Sequence, residues 1–329
     1  MKKHNPIADK LLFYLIISLT LLSCRLSRSG VFVAPDPTVT APPTSSPTEP
    51  HPTAEYQTQT SVNPIDGAVL VFVPEGAFVM GENRYERTIF LDPFWFYQVP
   101  VTNSQFAEFV SQTGYQTTAE IQGFSLAFVG INYQKVTGAS WSMPSGIGSD
   151  ISGLDDHPVG HMSWEDARSY CEWAGGQLPT DAEWVKAGRG TDGRIYPWGN
   201  DPVTGDKANF CDINCPDPQH PGFEDASHDD GYAFTSPVGN YPAGASPYGA
   251  LDMAGNILEW IADWYDPIYY INAPDQNPTG PQSGSARVQR GGYYGSPDYD
   301  LALSREPSAQ APDYPVYYYG FRCVLSERP

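Results

Sequence analysis

The sequence predicts an α+β fold in which irregular chain outweighs regular elements. Three features carry that expectation. Capping-box spacings mark helix starts at Thr102, Ser163 and Thr180. Apolar and aromatic runs between 68 and 97, and again over 316–325, read as strands. Beyond Tyr196, Gly, Pro, Asn and Asp interrupt the chain every few residues, in a protein of 329 residues with 31 Gly and 32 Pro. Little helix is expected there.

In chain order, residues 1–23 have the form of an export signal. Lys2, Lys3 and Lys10 flank an apolar run at 11–22 that is short for a membrane span. The run ends in Leu21-Leu22-Ser23-Cys24, which resembles a bacterial lipobox. Cys24 is then expected to be lipidated, holding the protein on the membrane as an extracytoplasmic lipoprotein of the bacterial cell envelope. Ordinary secretion and an uncleaved anchor are the alternatives. The signal carries three Lys and one Asp, so its removal takes the net charge from −20 to −22. Such acidity argues against nucleic acid as a partner, because phosphates would repel it. It also disfavours lying flat on anionic lipid. Residues 33–63 are mostly Pro, Thr and Ser with almost no large apolar side chains. Residues 24–64 are therefore expected to form a disordered tether and 65–329 one folded domain.

Within that domain, 68–81 alternates apolar residues around Pro74-Glu75-Gly76, a hairpin signal, and 88–97 continues as an aromatic strand. Thr102 with Gln105 opens a helix that Gly114 ends. Residues 115–156 are rich in Gly and Ser and read as ordered loop. Ser163 with Asp166 starts a second helix, stopped by Gly175-Gly176, whose Trp164, Ala167, Cys171 and Ala174 share one face. Thr180 with Glu183 starts a short third one. The stretch at 249–264, GALDMAGNILEWIADW, fits neither a plain helix nor a plain strand. Its Asn256 and Glu259 press oxygens against Met253 and Trp260, which suits either a hard cation or a turn that caps backbone donors.

GNILEWIADWY also resembles the GN-x-x-EW-x-x-DW signature of the formylglycine-generating enzyme family, the sulfatase-modifying factors. HPVGHMSWEDARSYCEWAGGQLPTDAEW, YPWGN, RVQRGG and GFRC follow the family's order, so the resemblance runs from about Val69 to Val324. It implies the formylglycine-generating enzyme fold, an elaborated C-type-lectin-like fold. It also implies a Cys171–Cys323 disulfide, whose loop of about 150 residues would stabilise the fold by about 5 kcal/mol at most. Cys211 and Cys215, in CDINC, are left to pair locally, and that reading is preferred to a metal site because no His or further Cys flanks them closely.

Active members of the family carry a Ser after the RGG motif and two Cys further on, which bind copper(I) for the oxygen-dependent oxidation of a sulfatase cysteine. Here those positions hold Tyr293, Ser296 and Leu301, and no cysteine lies between Cys215 and Cys323. A hydroxyl is a poor ligand for so soft an ion and a leucine side chain is none, so copper is not expected. The resemblance further implies calcium held by Asn209, Asp230 and the carbonyls of Phe210 and Tyr232. A second calcium is implied at Asn256, Glu259 and the carbonyls of Gly255 and Ile257. Oxygen donors on irregular backbone are what calcium tolerates.

The expected function is that of a non-catalytic binding protein whose vacated site, lined by Tyr293, Tyr294, Tyr299 and Trp260, grips a peptide, glycan or protein partner. The alternative for those aromatics is that they refill the lost site's volume. The alternative for the chain is a copper- and oxygen-dependent oxidase of sulfatase cysteines with a relocated or altered site.

Overall fold

The structure, a computed structural model, describes residues 58–81, 86–129, 132–215, 224–303 and 307–329. Cys24 and the tether as far as residue 57 lie outside the described residues. Among the described residues, two four-stranded sheets and two separate hairpins make up the strand content, with five α-helices beside them.

The first sheet has the order β1 (Thr60–Val62), β2 (Val69–Val73), β5 (Phe94–Tyr97), β12 (Val324–Leu325), all antiparallel. It is covered on both faces. Leu70, Trp95, Tyr97 and Leu325 enter one core with Phe106, Tyr170 and Phe321. Val71, Val73, Phe94, Phe96 and Val324 enter a second with Trp184 and Met253. Helix α3 (Trp164–Trp173) packs into the first core and α4 (Asp181–Arg189) into the second. Both begin with reciprocal capping boxes at Ser163 and Thr180, as does α1 (Asn103–Thr113) at Thr102, where the sequence places them.

Burial on both faces corrects two strand expectations. The 68–81 stretch is not a hairpin: β2 joins the first sheet, while β3 (Gly76–Met80) pairs with β4 (Arg87–Leu91) in a ribbon of its own. The residues decide it. β2 and β5 are apolar almost throughout, whereas β3 and β4 alternate buried and exposed, as suits a ribbon with one face in solvent. The run over 88–97 likewise splits at Asp92-Pro93. In 115–156, read as loop, lie α2 (Thr118–Gln122) and the hairpin β6 (Phe124–Val129)–β7 (Asn132–Thr137).

The domain also starts earlier than residue 65. β1 belongs to the first sheet, and buried Asn63 donates through Nδ2 to the Tyr97 hydroxyl and the Ala174 carbonyl, both at 2.9 Å. Asp66 Oδ2 accepts from the Tyr97 and Tyr170 hydroxyls at 2.7 and 2.8 Å. Three consecutive strand residues are too few for a composition average to reveal.

The second sheet runs β10 (Ser308–Gln310), β9 (Arg287–Arg290), β8 (Leu258–Trp264), β11 (Tyr319–Gly320). β8 shifts register against β9 between Trp260 and Trp264, which accounts for its mixed periodicity in the sequence. A single turn, α5 (Tyr269–Asn272), follows it. Cys171–Cys323 joins α3 to the residue before β12 across a separation of 152, and Cys211–Cys215 closes a turn.

Candidate functional site

β9 is followed by Gly291-Gly292, whose φ angles of 99° and 73° lie in the left-handed region. A Cβ on Gly292 would meet Leu301 Cδ2 at 2.8 Å and Ser296 Oγ at 3.2 Å. Ser296 and Leu301 therefore converge on one point, although five positions separate them in the chain. Ser296 Oγ accepts from Tyr293 N at 3.1 Å, and Leu301 is sealed against Phe210, Ala208 and Ala254. The two side chains that meet there are an alcohol and a hydrocarbon, and neither offers a soft donor.

Tyr293, Ser296 and Leu301 line a groove of about 1220 Å³. The Tyr293 ring stacks on Tyr318 with centroids 4.0 Å apart and planes at 14°. Of the four aromatics expected to line the site, only Tyr293 does so. Tyr294 is buried against Phe234 and Tyr317, and exposed Tyr299 lies outside the groove lining. Trp260 is a core residue. Strand alternation turns it with Leu258 and Ala262 into the first core, where Nε1 donates to the Met162 carbonyl at 2.9 Å. Tyr318 is the partner that was not foreseen; the run Tyr317-Tyr318-Tyr319, beside an alternating strand, was its signal in the sequence.

In the first expected cation set, Asp230 is tied to the backbone of its neighbours by the amides of Phe210 and Tyr232. Asp230 Oδ2 accepts from Phe210 N at 2.9 Å, one residue from Asn209, and Oδ1 accepts from Tyr232 N at 2.8 Å. Burial pushes the Asp230 carboxyl up to about 6, and Asp212 and Asp229 add to the rise. Asn209 Oδ1 is buried without a hydrogen-bond donor while its Nδ2 donates to the Phe234 carbonyl. A buried acceptor without a donor, one residue along the chain from an amide held by a carboxylate that like charge crowds, has the donor chemistry of a hard-cation site.

The second set is not brought together. Asn256, held at φ 62°, accepts from Ser236 N at 3.0 Å and meets Asn209 Nδ2 at 3.4 Å, so it borders the first set. Gly255 approaches so closely that a Cβ there would lie 2.0 Å from the Asn209 carbonyl oxygen, and its own carbonyl accepts from Ile257 N. Glu259 faces elsewhere. Its Oε1 and Oε2 accept from Arg322 Nη2 and Nε at 2.7 and 2.8 Å, and Oε2 also takes Trp184 Nε1 at 2.9 Å. Both Glu259 and Arg322 are fully buried. The carboxylate is a buried ion-pair partner with its charge already met, which corrects its reading as a calcium ligand. Arg322 stands in the GFRC motif beside Cys323, and this role for it was not read from the sequence.

Both disulfides occur as read. The Cys211 loop reaches the groove lining, since Cys211 N donates to the Ser296 carbonyl at 2.9 Å.

The model of the sulfatase-modifying factor enzyme 1-like domain matches residues 55–327. The chain is 36% identical over 308 residues to the formylglycine-generating enzyme of Streptomyces coelicolor, covering 84% of this chain and 95% of that one. It is 32% identical over 286 residues to a bovine protein named inactive C-alpha-formylglycine-generating enzyme 2, covering 78% and 87%. Among solved structures, PvdO from Pseudomonas aeruginosa superposes with a TM-score of 0.63 at 20% identity, covering 81% of this chain and 97% of that one, a likeness of fold. With its motif order, its sheet arrangement and that extent of identity, the chain belongs to the sulfatase-modifying factor (formylglycine-generating enzyme) family.

Proposed function

We propose that this protein is a non-catalytic member of its family, a lipoprotein anchored through Cys24 that holds a peptide, glycan or protein partner in the groove beside Tyr293 and Tyr318. One observation carries the reading: the side chains that converge on Gly292 are Ser296 and Leu301, where the family's chemistry needs a pair of thiols. Without two soft donors copper(I) has no chelate at this point. The remaining thiols of the domain are consumed in Cys171–Cys323 and Cys211–Cys215. Tyr293 over Tyr318 then offers aromatic surface in the groove lining. Calcium at Asn209 and Asp230, with the Phe210 and Tyr232 carbonyls, would act structurally by neutralising charge that the fold otherwise buries unmatched.

A second reading, an oxidase with a relocated site, has the bond from Cys211 N to the Ser296 carbonyl in its favour. One experiment separates the two. Purified protein loaded with copper(I) is incubated with oxygen and a sulfatase-type cysteine peptide, and the peptide is read by mass spectrometry. The expected result is unmodified peptide. Formylglycine formed by the wild type and abolished by Cys211→Ala or Cys215→Ala would establish the relocated site instead.

A further inference from the structure

The two disulfides differ in what surrounds them. Cys171 and Cys323 are both fully buried in the first core, out of reach of an external thiol. Cys211 is buried as well, but Cys215 is only half-buried, so the second bond has one accessible end. The loops that the bonds close differ too: 152 positions separate Cys171 from Cys323, and four separate Cys211 from Cys215. A bond that closes so small a loop restricts the unfolded chain little, so opening it leaves the fold standing. Exposed disulfides of this kind are the labile ones.

The second bond also sits where three loops meet. Among the described residues no helix or strand lies between α4 and Pro242, so order there depends on single hydrogen bonds. Cys211 N donates to the carbonyl of Ser296, a groove-lining residue, and the Cys211 carbonyl accepts from Asp225 N at 3.0 Å. Beside it, buried Asp212 accepts from Asn214 N through Oδ1 at 2.7 Å and from Asp230 N through Oδ2 at 2.5 Å. The turn at 211–215 thus ties the 225–230 stretch to Ser296. Cys215 N donates to the Asp212 carbonyl at 3.1 Å, a bond that keeps the two sulfurs close when the disulfide is open and lets it form again.

We infer that Cys211–Cys215 is a redox-active disulfide, through which an external protein dithiol loosens or tightens the 225–230 and 293–301 loops. A partner thiolate attacks Cys215 Sγ and forms a mixed disulfide with it. The Cys211–Cys215 bond breaks, its electron pair stays on Cys211 Sγ, and that sulfur takes up a proton. The partner's second thiolate then displaces Cys215, which is protonated in turn. This chain gains two electrons and two protons, and the partner leaves as a disulfide. With the covalent tie gone, hydrogen bonds alone oppose the entropy that these loops regain. The inference stands whatever the groove binds.

The full-length oxidised protein is treated with graded dithiothreitol, trapped with iodoacetamide and mapped by peptide mass spectrometry. Cys211 and Cys215 are expected to be alkylated at a dithiothreitol concentration about tenfold below that needed for Cys171 and Cys323. Hydrogen exchange on the partly reduced protein is expected to speed up by about tenfold at the amides of Cys211, Asp225, Asp230 and Ser296, with the strands of the first sheet unchanged. Reoxidation is expected to restore the slow rates. Cys211→Ser combined with Cys215→Ser is expected to show the fast pattern without reductant. Alkylation of all four cysteines over one range of dithiothreitol overturns the inference. Selective reduction with exchange unchanged at Asp225, Asp230 and Ser296 overturns it too, as does a double variant that exchanges like the oxidised wild type.

Discussion

Asp252 takes a backbone conformation, φ 53°, that Asn and Asp tolerate better than other side chains, and it is buried there. Its Oδ2 accepts from Gly239 N at 2.6 Å. Burial pushes its carboxyl from 3.8 up to about 6, with Glu259 adding to the rise and Arg322 opposing it. The native state therefore binds this proton more tightly than the unfolded chain does. The contribution is fully present below pH 3.8 and is lost as pH rises through about 6. Relative to Asp252→Asn, the wild type is expected to lose about 3 kcal/mol across that window, read by urea denaturation at a series of pH values. Parallel curves for the two proteins would refute the assignment. At this scale the sequence was informative about residue type and weak on partners. Glu259 was recognised as a buried oxygen donor, but its partner Arg322 lies 63 positions away, and no local spacing reveals such a pairing. Trp260 was misplaced for a related reason, since only the β8–β9 register shows which face each β8 residue takes.

Helix starts were the most legible elements, because a capping box is a local contract between residues three apart. Thr180 Oγ1 accepts from Glu183 N at 3.2 Å, and the half-buried Glu183 carboxylate accepts from Thr180 N at 2.7 Å. Thr180→Ala is expected to cost about 1–2 kcal/mol, with most of it recovered in Thr180→Ser, by urea denaturation. Equal losses for Ala and Ser would show that the methyl packing, and not the cap, is what matters. The same rule explains α2. Thr117 and Glu120 form a complete box, and that spacing was present in the sequence within a stretch otherwise dominated by Gly and Ser. Strand pairing was less legible. β2 and β3 read as one hairpin since neighbours in sequence usually pair, yet an all-apolar β5 offered β2 a better-buried partner.

For the molecule as a whole, the ordered motifs pointed to the family, whose resemblance implied Cys171–Cys323 and left Cys211 and Cys215 to pair locally. Pattern alone could not supply the arrangement of two cores around one sheet, because the alternation that creates it is spread over β2, β5 and β12. The proposed calcium acts at this scale too. A ligand bound only by the native state stabilises it by mass action, about 2.7 kcal/mol at a hundred times Kd. Chelation is expected to lower Tm by about 5–10 °C for a domain of this size, and Asp230→Asn to remove that difference. Identical melting with and without chelator, at nil metal content, would leave Asn209 and Asp230 as a capped turn.

The strand order of the first sheet has a consequence in time. β1 and β12 flank the same pair of strands, Thr60 at one border and Leu325 at the other. A chain still being synthesised holds its first strands for a long interval before the last arrives. Neither core can be sealed in that interval, since Val324 belongs to one and Leu325 to the other. Folding is therefore a late, end-to-end closure dominated by distant contacts, and it belongs to the slower class of folding reactions. Until the closing residues emerge, Phe94, Trp95 and Phe96 stay open to other hydrophobic surfaces, and a chaperone has the most to protect.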